Sequence, residues 1–291
     1  GMTDGWWLFA ECRDPERVGQ DIPLLNWRQW EALLVDSGFR ETHCMMGDGF
    51  LRGQAVIVGQ AITLPTDAAR VTLEGGACLV SGGLGGLGLL TARQLVEGGV
   101  EQLVLSSRSD RVVAGSEEDW VWLAECGAEV RRVRCDASDE GAVRAIAGSL
   151  SGDGVLFSGL FHAAHALADG LLANQHALNF RTTYGPKIHG ATALHAALWY
   201  APLRFFNVFS SIAGLMGAAG QAPHSAANAW LDTFGGWRRQ LGVSGQSVNW
   251  GAVAEIGYAA RHGTDRKAEA GGAGAISRAV AVAALSSTLH P

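Results

Sequence analysis

The stretch ACLVSGGLGGLGLLTARQLV, residues 77–96, decides the fold. A short apolar run that reads as a strand meets a turn in which Gly83, Gly85 and Gly88 follow the G-x-G-x-x-G spacing, and apolar residues then recur at helical intervals. In a chain with 40 glycines the spacing alone is a weak signal. The strand before it and the helix after it, Leu87 to Val96, supply the context that the motif requires. Bare backbone lets a pyrophosphate approach, and a helix N-terminus offers free N–H groups at the positive end of its dipole. Gly82, Gly83, Gly85, Gly86, Leu87 and Gly88 are therefore candidate dinucleotide contacts.

Beyond this turn, strand-like and helical runs alternate. Residues 77–81, 102–106, 128–134, 158–163, 205–210 and 246–250 read as strands with helix-length segments between them. Parallel strands need crossover connections, so this order predicts an α/β fold, a Rossmann-like doubly wound parallel sheet. The second strand ends in Ser107 and Arg108 where an NAD-binding chain would carry a carboxylate for the ribose 2′-hydroxyl. A guanidinium can grip a 2′-phosphate bidentately, which favours NADP+ and NADPH. Asp136, after the third strand, is placed near the adenine edge.

The composition changes over residues 63–76, which read as a linker between a segment 1–62 and a domain 77–291. In the first segment GWWLFAE reads as a strand, Trp27, Trp30, Leu33 and Leu34 share a helical face that stops at Gly38, and His43–Met46 with Ala55–Val58 suggest a hairpin. This small α/β extension is too short for a rich core of its own. Gly1-Met2 reads as a protease scar ahead of a start, and so as the edge of a piece cut from something longer.

A net charge of −6 with no Lys/Arg block argues against a nucleic-acid surface, which needs clustered cations. No apolar run approaches the roughly 20 residues that span a bilayer, and no secretory signal opens the chain; the expectation is no membrane and a cytoplasmic, intracellular location. Cys12, Cys44, Cys78, Cys126 and Cys135 are odd in number and never paired as CxxC, so they read as free thiols with no zinc site.

The motifs SGGLGGLG, LVLSSRS, RCDASD, FHAAHALADG, GPKIHGATALH, FSSIAG, GQAPHSAANAW and SVNWG, in this order over about residues 77–262, resemble the ketoreductase domains of modular polyketide synthases, a branch of the short-chain dehydrogenase/reductase (SDR) superfamily. The resemblance implies NADPH-dependent reduction of a β-ketoacyl thioester held on the phosphopantetheine arm of an acyl carrier protein, with other synthase domains as neighbours. It implies that Ser211 polarises the substrate carbonyl, Lys187 supplies a positive charge to a proton relay, Asn228 orders a water in that relay, and His162, Ala163 and Ala164 line the nicotinamide ribose. Of the LDD pattern only Asp169 is kept, with Ala168 before it, and Met216 stands where the opposite branch has Trp; this leans toward a D-configured hydroxyl. Residues 1–62 look like the tail of a methyltransferase-type domain without its S-adenosylmethionine loop, a truncated structural subdomain being the competing reading. After NWGAVAEIGYAA a lid over the substrate is expected, then a mobile stretch 261–274 and a final helix 276–289.

One position departs from the pattern. His224, thirteen residues after Ser211 and four before Asn228, stands where the family has its tyrosine acid. A phenol reaches about 2 Å farther than an imidazole, and a misplacement of about 1 Å can lower a rate on the order of a hundredfold. Lys187 and an oxidised nicotinamide both disfavour imidazolium, and a neutral imidazole is a poor acid. A histidine with its usual pKa is nonetheless a capable general acid, and a water can bridge the gap. The sequence thus leaves two readings: a ketoreductase whose activity is weakened or lost at an atypical active site, or a reduction-incompetent NADP(H)-binding structural domain. A metal hydrolase using His162, His165 and His224 is a distant third, since the three lack a compact ligand spacing.

Overall fold

The structure, a computed structural model, describes residues 75–254 and 275–289, the backbone of 39–46 and 55–61, and Ala32 and Val35 within a helix. The chain divides into two compact units, Gly1–Arg70 and Val71–Pro291. In the first, β1 (Phe39–Met46) and β2 (Ala55–Ala61) pair antiparallel, with an irregularity between Arg40 and His43. The hairpin expected from the apolar runs is present and longer at its open end, pairing Phe39 with Ala61. The strand expected in GWWLFAE, the face of Trp27, Trp30, Leu33 and Leu34, and the residues 255–274 that include the expected lid lie outside the described residues.

The second unit is built on a six-stranded parallel sheet in the order β5-β4-β3-β6-β7-β8. Its strands are β3 (Ala77–Ser81), β4 (Gln102–Ser107), β5 (Glu129–Arg134), β6 (Phe157–His162), β7 (Phe205–Ser211) and β8 (Gln246–Trp250). All six agree with the runs read from the sequence to within a residue or so. The strand order reverses between β3 and β6, and that switch point is where a doubly wound sheet opens a crevice for a ligand.

Side chains of a strand alternate between faces, so β3 feeds two cores at once. Cys78 and Val80 pack with Leu89, Leu90 and Leu95 of α1 (Gly86–Glu97), Leu123 of α2 (Glu117–Glu125) and Leu285 of the C-terminal helix. Leu79 faces the other way, toward Val143 and Leu150 of α3 (Glu140–Gly152) and toward two further helices described below. Layers on both faces explain why β3 and β6 are buried throughout, whereas edge strand β5 exposes much of its surface. Between the sheet and the first layer runs an aromatic chain in which Phe161 meets Phe205 and Phe209, and Phe209 meets Trp250. Gly159 makes room for it: a Cβ there would overlap the Phe205 ring.

On the second face lie α4 (Ala177–Tyr184), a π-helical turn Gly185–His189, α5 (Gly190–Ala197) and the long α7 (Ala222–Gln240), preceded by the short α6 (Ile212–Met216) after β7. Arg238 in the last turn of α7 is buried; it donates to the Ser244 carbonyl at 2.7 Å, stacks 3.8 Å over Phe206 and meets His195. A guanidinium suits the negative end of a helix.

The final helix, α8, spans Arg278–Ser287, two residues shorter at each end than the periodicity predicts. Ile276 is drawn into a bridge with Val253, its N–H donating to Ala252 and its carbonyl accepting from Ala254, and Ser277 then caps the helix. Arg278 reaches Asp119 of α2 with two nitrogens at 2.5 and 3.1 Å, and Arg93 of α1 donates to the same carboxylate at 3.3 Å. Asp119 is almost fully buried, and its removal takes that carboxylate from Arg278 and leaves Arg93 with Glu97, loosening the tie between α1, α2 and α8. Asp119→Ala is expected to lower the unfolding free energy by about 1–3 kcal/mol in urea titrations, short of a fully buried pair because Arg278 is partly solvated.

Candidate active site

At the switch point the turn after β3 is held so tightly that only glycine fits. Gly82 and Gly83 both donate to the Ser106 carbonyl, at 2.9 and 3.0 Å. Gly82 has φ +77, and a Cβ on it would sit 2.6 Å from the Ala164 nitrogen. A Cβ on Gly83 would lie 2.7 Å from the Val80 carbonyl, and one on Gly88 would strike Gly82. Ala163 donates to the Ser81 carbonyl at 2.7 Å, so the β3 and β6 loops form one wall of backbone. The start of α1 carries no acidic residue and no side-chain cap, leaving its N–H groups for an anion. Glycine backbone with an uncapped helix start fits a dinucleotide pyrophosphate. Gly85, Gly86 and Leu87 stand where they would hold it.

Along the crevice, Ser107 accepts from the Asp110 N–H at 3.0 Å, and the exposed Arg108 lies at the end of β4. Asp136 accepts from the Ser138 hydroxyl and N–H, at 2.5 and 3.0 Å. Those bonds, with help from the Arg108 charge, hold its carboxyl below the usual range. Arg108 and Asp136 are thus brought together at the edge of the nucleotide crevice.

Lys187 enters from the π-helical turn. Its Nζ donates to the Phe209 carbonyl at 2.9 Å and to Asn228 Oδ1 at 2.8 Å, and the residue is only 4% exposed. Burial lowers its pKa to about 7, against an opposing pull from Asp232. Asn228 has no exposure and passes the contact on, donating from Nδ2 to the His224 carbonyl at 2.8 Å. His162 ends β6 with its ring beneath this lysine, Nε2 lying 3.3 Å from the Lys187 carbonyl, while Gly190 gives the ring space. Its side chain is therefore spent on the lysine turn, and burial pushes its pKa down to about 4.

Ser211 ends β7. Its Oγ accepts from the Ala213 N–H at 3.2 Å and caps α6, which leaves its own proton to donate. Helix α6 packs against α7 at Gly214, where a Cβ would be 2.9–3.0 Å from Asn228 and Ala229. His224, one turn before Asn228 on α7, is half-buried, and its Nδ1 is enclosed without a protein partner among the described residues. Burial first, then the Lys187 charge and His165, lower its pKa to about 3. The imidazole is neutral near pH 7, in the direction the sequence predicts.

Asp169 accepts from Gln221 Nε2 at 2.9 Å, and Met216, at the end of α6, is 77% exposed. Sequence reasoning missed the outer ring of the relay. Asp232 accepts from Ser247 at 2.6 Å and from Asn249 at 2.9 Å, and Ser210 donates to the Asn228 carbonyl at 3.1 Å. Asp232 follows His224 and Asn228 at intervals of four, a helical spacing that could have revealed it. Among the described residues no group of three metal-ligating side chains comes together, and no helix is long and apolar enough to cross a membrane.

A glycine-lined turn at the switch point of a doubly wound sheet, beside a buried Lys–Asn pair and a serine at a strand end, is the arrangement of the short-chain dehydrogenase/reductase superfamily. The chain belongs to the KR domain family of polyketide synthases, whose model matches residues 76–255. It is 37% identical over 197 residues to phthioceranic/hydroxyphthioceranic acid synthase of Mycobacterium tuberculosis (strain ATCC 25618 / H37Rv), covering 67% of this chain and 9% of that protein. To a mycocerosic acid synthase-like polyketide synthase of the same strain it is 36% identical over 208 residues, 68% of this chain and 9% of that one. The chain thus spans about a tenth of the length of these relatives. Among solved structures, an A1-type ketoreductase superposes with a TM-score of 0.73 at 30% identity, over 90% of this chain and 54% of that one. The ketoreductase from the first module of phoslactomycin biosynthesis in Streptomyces sp. HK803 gives 0.68 at 32%, over 72% and 49%.

A depressed histidine pKa links protonation to stability. From pH 6.5 down to about 3 the unfolded chain binds a proton at His224 that the folded chain refuses, so stability present above pH 6.5 is lost on acidification. His224→Tyr removes that contribution. Urea unfolding between pH 6.5 and 4.5 is expected to show a slope shallower by up to about 1.4 kcal/mol per pH unit, one proton's worth, with His162 and His195 supplying what remains.

Proposed function

We propose that this chain reduces a β-ketoacyl thioester, carried on the phosphopantetheine arm of an acyl carrier protein, with NADPH, through a site whose proton step is weakened by His224. The observation that carries this reading is the unbroken line from Lys187 through Asn228 to the backbone of His224, assembled beside Ser211. Bound NADPH supplies the hydride to the carbonyl carbon. Ser211 donates its hydroxyl proton in a hydrogen bond to the carbonyl oxygen and stabilises the negative charge that gathers there. Asn228 fixes Lys187, whose charge eases proton delivery toward that oxygen, with a water at Asn228 completing the relay. Arg108 pairs with the 2′-phosphate, Asp136 borders the adenine, and the backbone of His162, Ala163 and Ala164 lines the nicotinamide ribose. Asp169 without a Trp at position 216 favours the D-configured alcohol.

The last proton must arrive at position 224. With a pKa of about 3, about one His224 in 10⁴ is protonated at pH 7, since four pH units separate the two. The same observation favours the second reading, an NADP(H)-binding domain that reduces nothing and serves the synthase structurally. Residues 1–62 are then a structural segment and 63–76 a linker, with other synthase domains as neighbours in an intracellular assembly.

NADPH oxidation with a simple β-ketoacyl thioester separates the readings. His224→Tyr is expected to raise kcat by about a hundredfold or more over the parent, with NADP+ affinity unchanged. A parent as fast as the tyrosine variant overturns the weakened-acid reading, and two silent proteins that still bind cofactor establish the structural one. Arg108→Asp is expected to lower NADP+ affinity by about ten- to a hundredfold while leaving NAD+ affinity nearly unaltered, read by titration calorimetry.

A further inference from the structure

We infer that Gln175 is a positioning residue: it fixes the shape of the substrate-side loop Ala168–Gly170 and thereby which face of the ketone the site presents, an inference that rests on the reductase reading. Gln175 follows the short 3-10 turn Leu172–Asn174. Its side-chain amide donates both hydrogens into the loop, to the Ala168 carbonyl at 3.2 Å and to the Gly170 carbonyl at 3.0 Å. Two acceptors on one NH2 group settle the amide's orientation, because a flipped carboxamide would oppose oxygen to oxygen. A Cβ at position 170 would lie 3.1 Å from Gln175 Nε2, so a side chain there would push the amide back by a few tenths of an ångström.

The opposite side of the loop is tied to the start of α7. Gly170 donates to the Gly220 carbonyl at 2.8 Å, and Gln221 Nε2 donates to Asp169 Oδ2 at 2.9 Å. Gln221 is the N-cap of α7, three residues before His224. Three consecutive loop residues thus carry four hydrogen bonds, two from Gln175 and two shared with the helix that holds the acid position. Gln175 fixes two carbonyls, they fix the direction of Asp169, and Asp169 meets the helix start through Gln221. On the reductase reading, in which Asp169 lies on the substrate side, the shape of the loop that carries this carboxylate selects the side from which an acyl-pantetheine arm enters. None of Ala168, Asp169 and Gly170 belongs to either hydrophobic core, so loosening the loop leaves the sheet and the nucleotide cradle intact.

The test uses Gln175→Leu, which removes both donors, and Gln175→Glu, which keeps the size but cannot donate to a carbonyl. In the parent protein, amide hydrogen exchange at Gly170 is expected to speed up about tenfold or more in both variants. Unchanged exchange overturns the clamp. In the His224→Tyr background, with a β-ketoacyl thioester and NADPH, the ratio of the two alcohol enantiomers is expected to fall about tenfold and KM to rise more than kcat falls. An unaltered ratio, or a loss confined to kcat, overturns the selecting role. Failure of His224→Tyr itself to reduce anything counts against the reductase reading and with it the choice of face, and the exchange experiment then decides separately whether Gln175 fixes the loop.

Discussion

A buried ammonium group organises the site. Lys187 reaches the interior through a turn that belongs to neither of its flanking α-helices, and there it must find acceptors or lose its charge. It finds the Phe209 carbonyl of β7 and the side chain of Asn228 on α7, while its own carbonyl lies against His162 at the end of β6. One residue thereby ties together two central strands, a long helix and a connecting turn. The relay beyond it is assembled to satisfy that placement: Asn228 bonded to the carbonyl one turn back, Asp232 one turn ahead, and Asn249 and Ser247 behind Asp232. Lys187 and Asn228 are buried, Asp232 and Ser247 are half-buried and Asn249 is exposed, and the Asp232 charge lowers the penalty of keeping a cation indoors.

The same cation makes position 224 hostile to a histidine that must carry a proton. A phenol is neutral before it gives up its proton, and a neighbouring ammonium helps it do so. An imidazole has to be charged first, and the neighbour opposes that. Burial and Lys187 act in the same direction on His224, and His165 adds to them, so all three favour the neutral imidazole. Nothing else nearby has been dismantled. The lysine, the asparagine, the serine and the glycine cradle are all in place, each with its bonding or its space intact.

Much of this was legible in the sequence because the relevant signals are local. A strand, a glycine turn and an apolar helix in succession fix a dinucleotide cradle without reference to anything distant. Alternating apolar runs gave the parallel sheet its six strands. Lys187, Ser211 and Asn228 became visible through ordered motifs, though only the fold shows that an asparagine joins lysine to helix. What escaped were contacts between residues far apart in the chain. Asp119 looks like one more charge on an acidic helix start, and only the return of the C-terminal helix makes it the seat of two arginines. Gln175 and Gln221 look like ordinary polar residues until the loop between β6 and α4 closes on them. The last helix was placed too generously because Ile276 suits a helix by character but is claimed by a bridge to Val253.

The π-helical turn at Gly185–His189 holds one residue more than a regular α-helical turn would need. Successive positions on an α-helix are about 100° apart around its axis, so deleting a single residue here and letting the turn relax would swing Lys187 by roughly that angle, away from Phe209 and Asn228. Every functional side chain would survive such a change, and the sequence motifs on either side would read as before. The site is therefore addressed by chain length as well as by residue identity, and a one-codon deletion within GPKIHGATALH that spares Lys187 would still displace its ammonium group.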